Sequence, residues 1–385
     1  MKKIQLIFFL FLLCISCGKH YKTKDVDQQN GFYFWKTTAA FDQEEYARLD
    51  SFDTKAIYLR LFDVGWDDVR KDAAPMGEMT MYSYGEVPYA KYEVVPTIFI
   101  TNETFRNIDE KNLEQLSLRI YKKILGHFTS VGLQATYQVD YETYGSPYYQ
   151  SSKDFRELVR QDSLSHSYFD HVKEFQFDCD WTESTKDKYF TFLKIMKSKL
   201  IGKIISATVR LYPYKYPDKA GVPPVDKGML MCYNVGDVRN VESGNSIFDK
   251  REVYKYLKGV KSYPLTLDYA FPIFEWCSIY RRNKLIKLIP IEDMYFSDNN
   301  FKEISKNNVV RYEVIEEMEL YGYDMKLIKG DIVKIESLPY DEVIEVAGYI
   351  SSINTNKEPK IVLFDYNKKT VRENEKSVKK IFGCF

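Results

Sequence analysis

The chain has 385 residues, enough to bury a sizeable core in one large domain or two ordinary ones. Its 55 Lys+Arg balance 55 Asp+Glu, so it lacks the basic excess of a nucleic-acid binder, and with only 4 His a histidine-based metal centre is not expected. Hydrophobic residues at 45% and charged residues at 29% exclude wholesale disorder, and aromatic content reaches 16%, with 32 Tyr.

Taken in chain order, Lys2 and Lys3 precede a nearly unbroken apolar run from Ile4 to Ile15. A basic start followed by a run too short to span a bilayer is a secretory signal, so residues 1–16 stand outside the fold. Residues 18–30 are polar and read as a flexible tether. Short runs rich in β-branched and aromatic residues then recur: Phe32–Trp35, Ala56–Phe62, Val94–Ile100, Glu174–Asp180, Ile204–Leu211, Gly228–Tyr233, Leu265–Phe271 and Ile361–Phe364. Helical periodicity falls between many of them, at 109–128, 185–200, 249–258 and 340–354, and the last ten residues read as one more helix. Residues 64–93 show no amphipathic helix, and 285–337 carry strand-like pieces, Val309–Val314 and Asp331–Ile335, that read as a β-rich insertion.

Eight strands alternating with helices predict a parallel α/β fold. No Gly-rich strand-to-helix turn is present to seat a dinucleotide, which disfavours a doubly wound sheet. The count fits a (β/α)8 TIM-like barrel over residues 31–385, with the β-rich insertion before the last strand.

Chemistry concentrates in Phe175-Gln176-Phe177-Asp178-Cys179-Asp180-Trp181. Strand side chains alternate, so Gln176, Asp178 and Asp180 share one face. Carboxylates at the end of a buried strand are costly unless they line a cavity or meet cations. The C-terminal strand ends form the active face of a barrel, and two carboxyls in different surroundings supply an acid and a partner for glycosidic cleavage. Arg60 and Arg210, after the second and fifth strands, are candidate substrate-binding groups that could orient the carboxylates or hold an anionic sugar; the structural alternative is that they ion-pair with Asp178 and Asp180. Asp268 and Glu275 are expected after the seventh strand, and Trp35, Trp181 and Trp276 at or beyond strand ends, as candidate substrate-binding groups and sugar-stacking platforms. Cys179, Cys232, Cys277 and Cys384 show neither CxxC nor paired spacing, so no zinc site or disulfide framework is indicated. No nucleophile elbow, P-loop or H-E-x-x-H motif occurs, and no cofactor is expected.

Two resemblances add to this reading. Cys14-Ile15-Ser16-Cys17 resembles the bacterial lipobox, with Cys14 where the pattern prefers Leu. It implies cleavage before Cys17, a lipid on its thiol, a lipidated tether at 17–30 and an outer-membrane location facing the periplasm. Gln176-x-Asp178-x-Asp180 resembles the fourth-strand acidic motif of family 18 chitinases, with Gln for the first acid and Asp for the final Glu. Met231-Cys232-Tyr233-Asn234 resembles that family's Met-x-Tyr-Asp sixth strand, with Asn in place of Asp. The likeness implies Asp180 as general acid, Asp178 as its stabilising partner, and Tyr233 and Asn234 on the substrate. Most of the mature chain, through FYFWKT, FQFDCDW, RLYP, GVPPVDKGMLMCYN and LDYAFPIFEW, is similar to bacterial lipoproteins with a glycosidase-like barrel and no established activity. The expected protein is a lipid-anchored, glycosidase-like barrel acting on an envelope glycan. Its rivals are a non-catalytic glycan-binding lipoprotein and an assembly lipoprotein that binds another protein. Neither oligomeric state nor sugar identity follows from the sequence.

Overall fold

The computed structural model describes residues 27–83, 88–144, 168–297, 299–306 and 309–385. The signal segment 1–16, Cys17 and most of the tether lie outside the described residues.

Eight parallel strands close into a barrel. They are β1 (Gln29–Phe34), β2 (Thr54–Asp67), β3 (Glu93–Ile100), β4 (Glu174–Asp178), β5 (Ile204–Arg210), β6 (Lys227–Met231), β7 (Thr266–Pro272) and β8 (Lys360–Phe364). Each pairs with the next, and β1 pairs with both β8 and β2, which closes the ring. All eight coincide with the runs expected from the sequence, because strands covered on both faces read as continuous apolar stretches. The described residues of 64–93 hold no long helix. Instead β2 continues to Asp67 and pairs outside the ring with an antiparallel strand, Asp72–Met76.

Helices coat the barrel at each span where helical spacing was expected, and also at Gln43–Asp50, where none was expected. Helix α1 (Gln43–Asp50) is capped by the Asp42 carboxylate accepting from Glu45 N. Helix α2 (Leu113–Tyr144) buries Leu113, Leu116, Ile120, Ile124, Phe128 and Val131, spaced three or four apart. Helix α3 (Lys186–Lys199) buries Tyr189, Phe192, Leu193 and Met196; full burial of such side chains stabilises by about 1.5–3 kcal/mol each. Helices α4 (Lys250–Leu257), α5 (Tyr340–Ile353) and α6 (Glu375–Phe382) complete the layer.

Inside the ring the residues are stratified. At the N-terminal end of the strands Lys227 lies 2.8 Å from Glu174 and 2.6 Å from Asp268, while Lys360 reaches Glu93 at 2.6 Å and Glu174 at 3.0 Å. Above this ionic floor sits an apolar layer containing Tyr33, Tyr58, Met229, Ala270 and Val362.

The β-rich insertion is a five-stranded antiparallel sheet with its own apolar cluster, including Cys277, Ile279, Ile289, Val314 and Val333. It begins at Trp276, earlier than the expected 285, because the strand Trp276–Arg281 follows β7 almost without a break. Among the described residues no helix is long and apolar enough to cross a membrane.

Candidate functional site

On β4, Phe175 and Phe177 point outward to the helix layer, where Phe177 meets Phe192 edge-on at 5.4 Å. Gln176 and Asp178 face inward. Tyr33 donates its hydroxyl to Gln176 Oε1 at 2.6 Å, and Gln176 Nε2 has no hydrogen-bond partner among the described residues. Asp178 is buried and accepts from the Thr208 hydroxyl at 2.6 Å. Burial pushes its carboxyl up to about 7, and the charge of Asp180 adds to the rise; the Thr208 hydrogen bond and Arg210 oppose it.

Asp180 lies just past the end of β4, half exposed. Arg210, at the end of β5, meets it through Nη1 at 2.9 Å and donates Nη2 to the Asn234 carbonyl at 3.2 Å. Arg60 takes no part in this pair. It forks onto Asp63 through Nε and Nη2, donates Nη1 to the Trp35 carbonyl at 2.8 Å, and lies 5.5 Å from the Trp35 ring centre. Of the two arginines weighed from the sequence, only Arg210 holds one of the two carboxylates.

Tyr233 and Asn234 follow β6. The Tyr233 ring is buried, stacked at 5.2 Å on Phe364, and its hydroxyl has no partner among the described residues. Asn234 adopts φ 55°, a left-handed conformation that Asn tolerates better than most residues, and its Oδ1 is likewise unpartnered. Buried polar atoms without partners are rare and costly in a folded protein, so two of them at a cavity wall point to a ligand or water.

Among the described residues, two of the cavities at this end of the barrel meet at Asn234. One, of about 270 Å³, is lined by Asp180, Arg210, Tyr212, Tyr233, Asn234 and Tyr256. The other, of about 330 Å³, lies between the barrel mouth and the insertion, against Trp35, Phe274, Trp276, Phe364 and Asp365. Asn234 lines both. Their volumes are in the range of small-ligand sites.

The remaining expected residues are distributed as follows. Trp35 and Trp276 wall the second cavity, and Trp276 is fixed by its indole N–H on Glu336 Oε2 at 2.9 Å. Glu275 lines the same cavity and accepts from Leu338 N at 2.8 Å. Trp181 borders the first cavity but is buried, with its indole N–H on the Ala220 carbonyl at 3.0 Å and its ring 5.5 Å from Tyr189. Asp268 is misplaced by the sequence reading. It sits near the start of β7, in the ionic floor, and not at the mouth. A barrel strand carries polar residues inward at either end, and the run of letters does not say which end. Thr208 and Phe364 were missed. The alternation Ser206, Thr208, Arg210 on β5 is the same signal that singled out β4, and it places Thr208 opposite Asp178.

No family model matches the chain, and no curated protein matches it. Solved structures do. A chitinase from Chromobacterium violaceum is 8% identical, with 92% of this chain and 98% of that one covered and a TM-score of 0.45. A family 18 chitinase mutant from Cycas revoluta, in complex with (GlcNAc)4, is 11% identical, covering 92% and 100%, TM-score 0.44. A family 18 N-acetylglucosaminidase from Paenibacillus barengoltzii is 7% identical, covering 93% and 99%, TM-score 0.41. None of these values carries a statement about substrate or activity, and the barrel rests on the strand pairing above.

Proposed function

We propose that the C-terminal face of the barrel binds a glycan and cleaves it with Asp178 and Asp180 as a carboxyl pair. The observation that carries this reading is Asp178: a buried carboxyl held at about 7, two residues behind a solvent-reaching Asp180, at a cavity where Tyr233 and Asn234 offer unpartnered polar atoms. Asp180, at the mouth, protonates the leaving oxygen. Asp178 holds that proton near neutral pH and passes it to Asp180 for delivery to the leaving oxygen; the ionised Asp178 then stabilises positive charge at the anomeric centre until water adds there and returns a proton to the pair. Tyr233 and Asn234 position the substrate, while Gln176 keeps Tyr33 aligned beneath them.

One observation favours binding without turnover. Arg210 already occupies Asp180, and an Asp reaches one methylene less far than a Glu. A hydrolysis and binding screen of the purified protein against a glycan library, beside Asp180→Asn, separates the readings. Hydrolysis abolished by the substitution supports the acid. Hydrolysis indifferent to it sinks the assignment. Binding without turnover in both forms leaves a glycan-binding protein, and no binding at all removes the glycan.

The proposal extends to location: lipid on Cys17 and attachment to the outer membrane on its periplasmic side. Support comes from Lys2-Lys3, the apolar run and Ser16-Cys17. Mass spectrometry of the N-terminal peptide tests it, and an unmodified Cys17 refutes it.

A further inference from the structure

The second cavity has a composition of its own. Its floor and walls are four aromatic rings in mutual contact: Trp35 lies 5.3 Å from Phe364, Phe364 5.5 Å from Phe274, and Phe274 5.0 Å from Trp276. Three carboxylates, Glu275, Glu292 and Asp365, share that lining with a single cation, Lys36. Each carboxylate is oriented by a neutral donor. Glu275 accepts from Leu338 N at 2.8 Å, Glu292 from Asn367 Nδ2 at 2.6 Å, and Asp365 from Trp35 N at 3.0 Å. Among the described residues none of the three stands in a salt bridge, in contrast to Asp63 and Asp180 across the mouth, each held by an arginine.

Aromatic faces carry negative charge density, and the cavity adds unneutralised carboxylates around them. With burial holding Asp365 near about 7, the charge is supplied by Glu275 and Glu292, and such a site attracts a cation that also has apolar surface. A neutral acetamide can donate one N–H to a carboxylate but gains no charge attraction, and its bulk must share the space with them. Resting on the glycan reading above, we propose that this cavity selects a sugar unit bearing a free ammonium group, so that the ligand is an amino-sugar glycan at least partly lacking N-acyl groups. The ammonium lies against the Trp35, Phe274 and Phe364 rings and within reach of Glu275 and Glu292. Asn234, common to both cavities, joins this unit to the one beside Asp180.

Titration calorimetry with a glucosamine tetrasaccharide and its fully N-acetylated twin tests this, since the two differ only at nitrogen. The amine form is expected to bind the purified protein about tenfold more tightly. The Glu275→Gln/Glu292→Gln variant keeps both acceptor oxygens and is expected to lose the preference to within about twofold while melting like the parent. Equal binding of the two ligands overturns the ammonium site and leaves the glycan reading standing. A preference that persists in the variant also overturns it, because charge elsewhere is then responsible. Binding of neither overturns both.

Discussion

Arg210 holds Asp180 at 2.9 Å, whereas Asp178, two residues earlier, is met by the neutral hydroxyl of Thr208 at 2.6 Å. The two carboxyls therefore live in different electrostatic surroundings although only Cys179 separates them. A cation compensates the exposed one, and burial acts unopposed by direct pairing on the other.

That asymmetry fixes a pH dependence. An unfolded aspartate titrates near about 3.9, and folded Asp178 near about 7. Between those values the native state keeps a proton that the unfolded chain has lost, so stability is full below the unfolded value and falls as pH rises through about 7. Asp178→Asn still accepts from Thr208 and removes this titration. Its stability relative to the parent should grow from pH 4 to 7, by of order 4 kcal/mol at most. Urea unfolding of both proteins across that range measures the difference. Asp365, also held near about 7 by burial, contributes the same slope to both and cancels. A difference that does not change with pH would show that Asp178 is ionised in the native state.

The Arg210–Asp180 pair is more than a third exposed on both sides, so its contribution to stability is about 0–1 kcal/mol. Arg210→Met should therefore melt close to the parent. It should nonetheless weaken glycan binding about tenfold or more, because it frees both Asp180 and the carbonyl of Asn234 at the cavity wall. A variant that binds as the parent does would make the pair a rim contact with no part in recognition.

The barrel was legible because buried parallel strands leave long apolar runs, and Gln176 and Asp178 stood out as polar breaks at a spacing of two. The start of the insertion was hidden for the same reason. In LDYAFPIFEWCSIY, a barrel strand passes into an insertion strand with Glu275 as the one charged residue between them. Asp268 was placed at the wrong end because its partners, Lys227 and Lys360, are far away in sequence and only ring closure brings them together. Thr208 escaped because a threonine in a strand is unremarkable until its partner is known. The aromatic excess divides in the same way. Trp35, Tyr233 and Trp276 gather at the mouth beside Phe274 and Phe364, but most of the largest rings, among them Phe32, Phe62 and Phe192, are core.

Trp181 separates these two uses of an aromatic. It borders the first cavity, yet its indole is buried and hydrogen-bonded to Ala220. Trp181→Ala should cost about 3–5 kcal/mol of stability through the void it leaves. Trp35→Ala, at a half-buried cavity wall, should cost less stability and more glycan affinity. Paired unfolding and binding measurements on the two variants check this, and a Trp181→Ala protein that folds as well as the parent but fails to bind would reverse the assignment.

The ionic floor makes the sharpest structural prediction. Lys227 bridges Glu174 and Asp268, but Lys360 also reaches Glu174, so removing Lys227 leaves Asp268 without a cation. Burial already raises the Asp268 carboxyl above its usual range, with Lys227 as the main opposing influence. Lys227→Met should destabilise the barrel by about 3–5 kcal/mol at neutral pH. The loss should shrink as pH falls, because the orphaned Asp268 then takes a proton and its native-state value lies further above the unfolded one. Adding Asp268→Asn should restore part of the stability at pH 7. Glycan affinity of whatever fraction is folded should stay at the parental value throughout, since this cluster lies at the opposite end of the strands from the two cavities. Denaturant unfolding at pH 5 and 7, with calorimetric binding below the transition, measures both. An affinity that tracks the Asp268 substitution would return that residue to the ligand site.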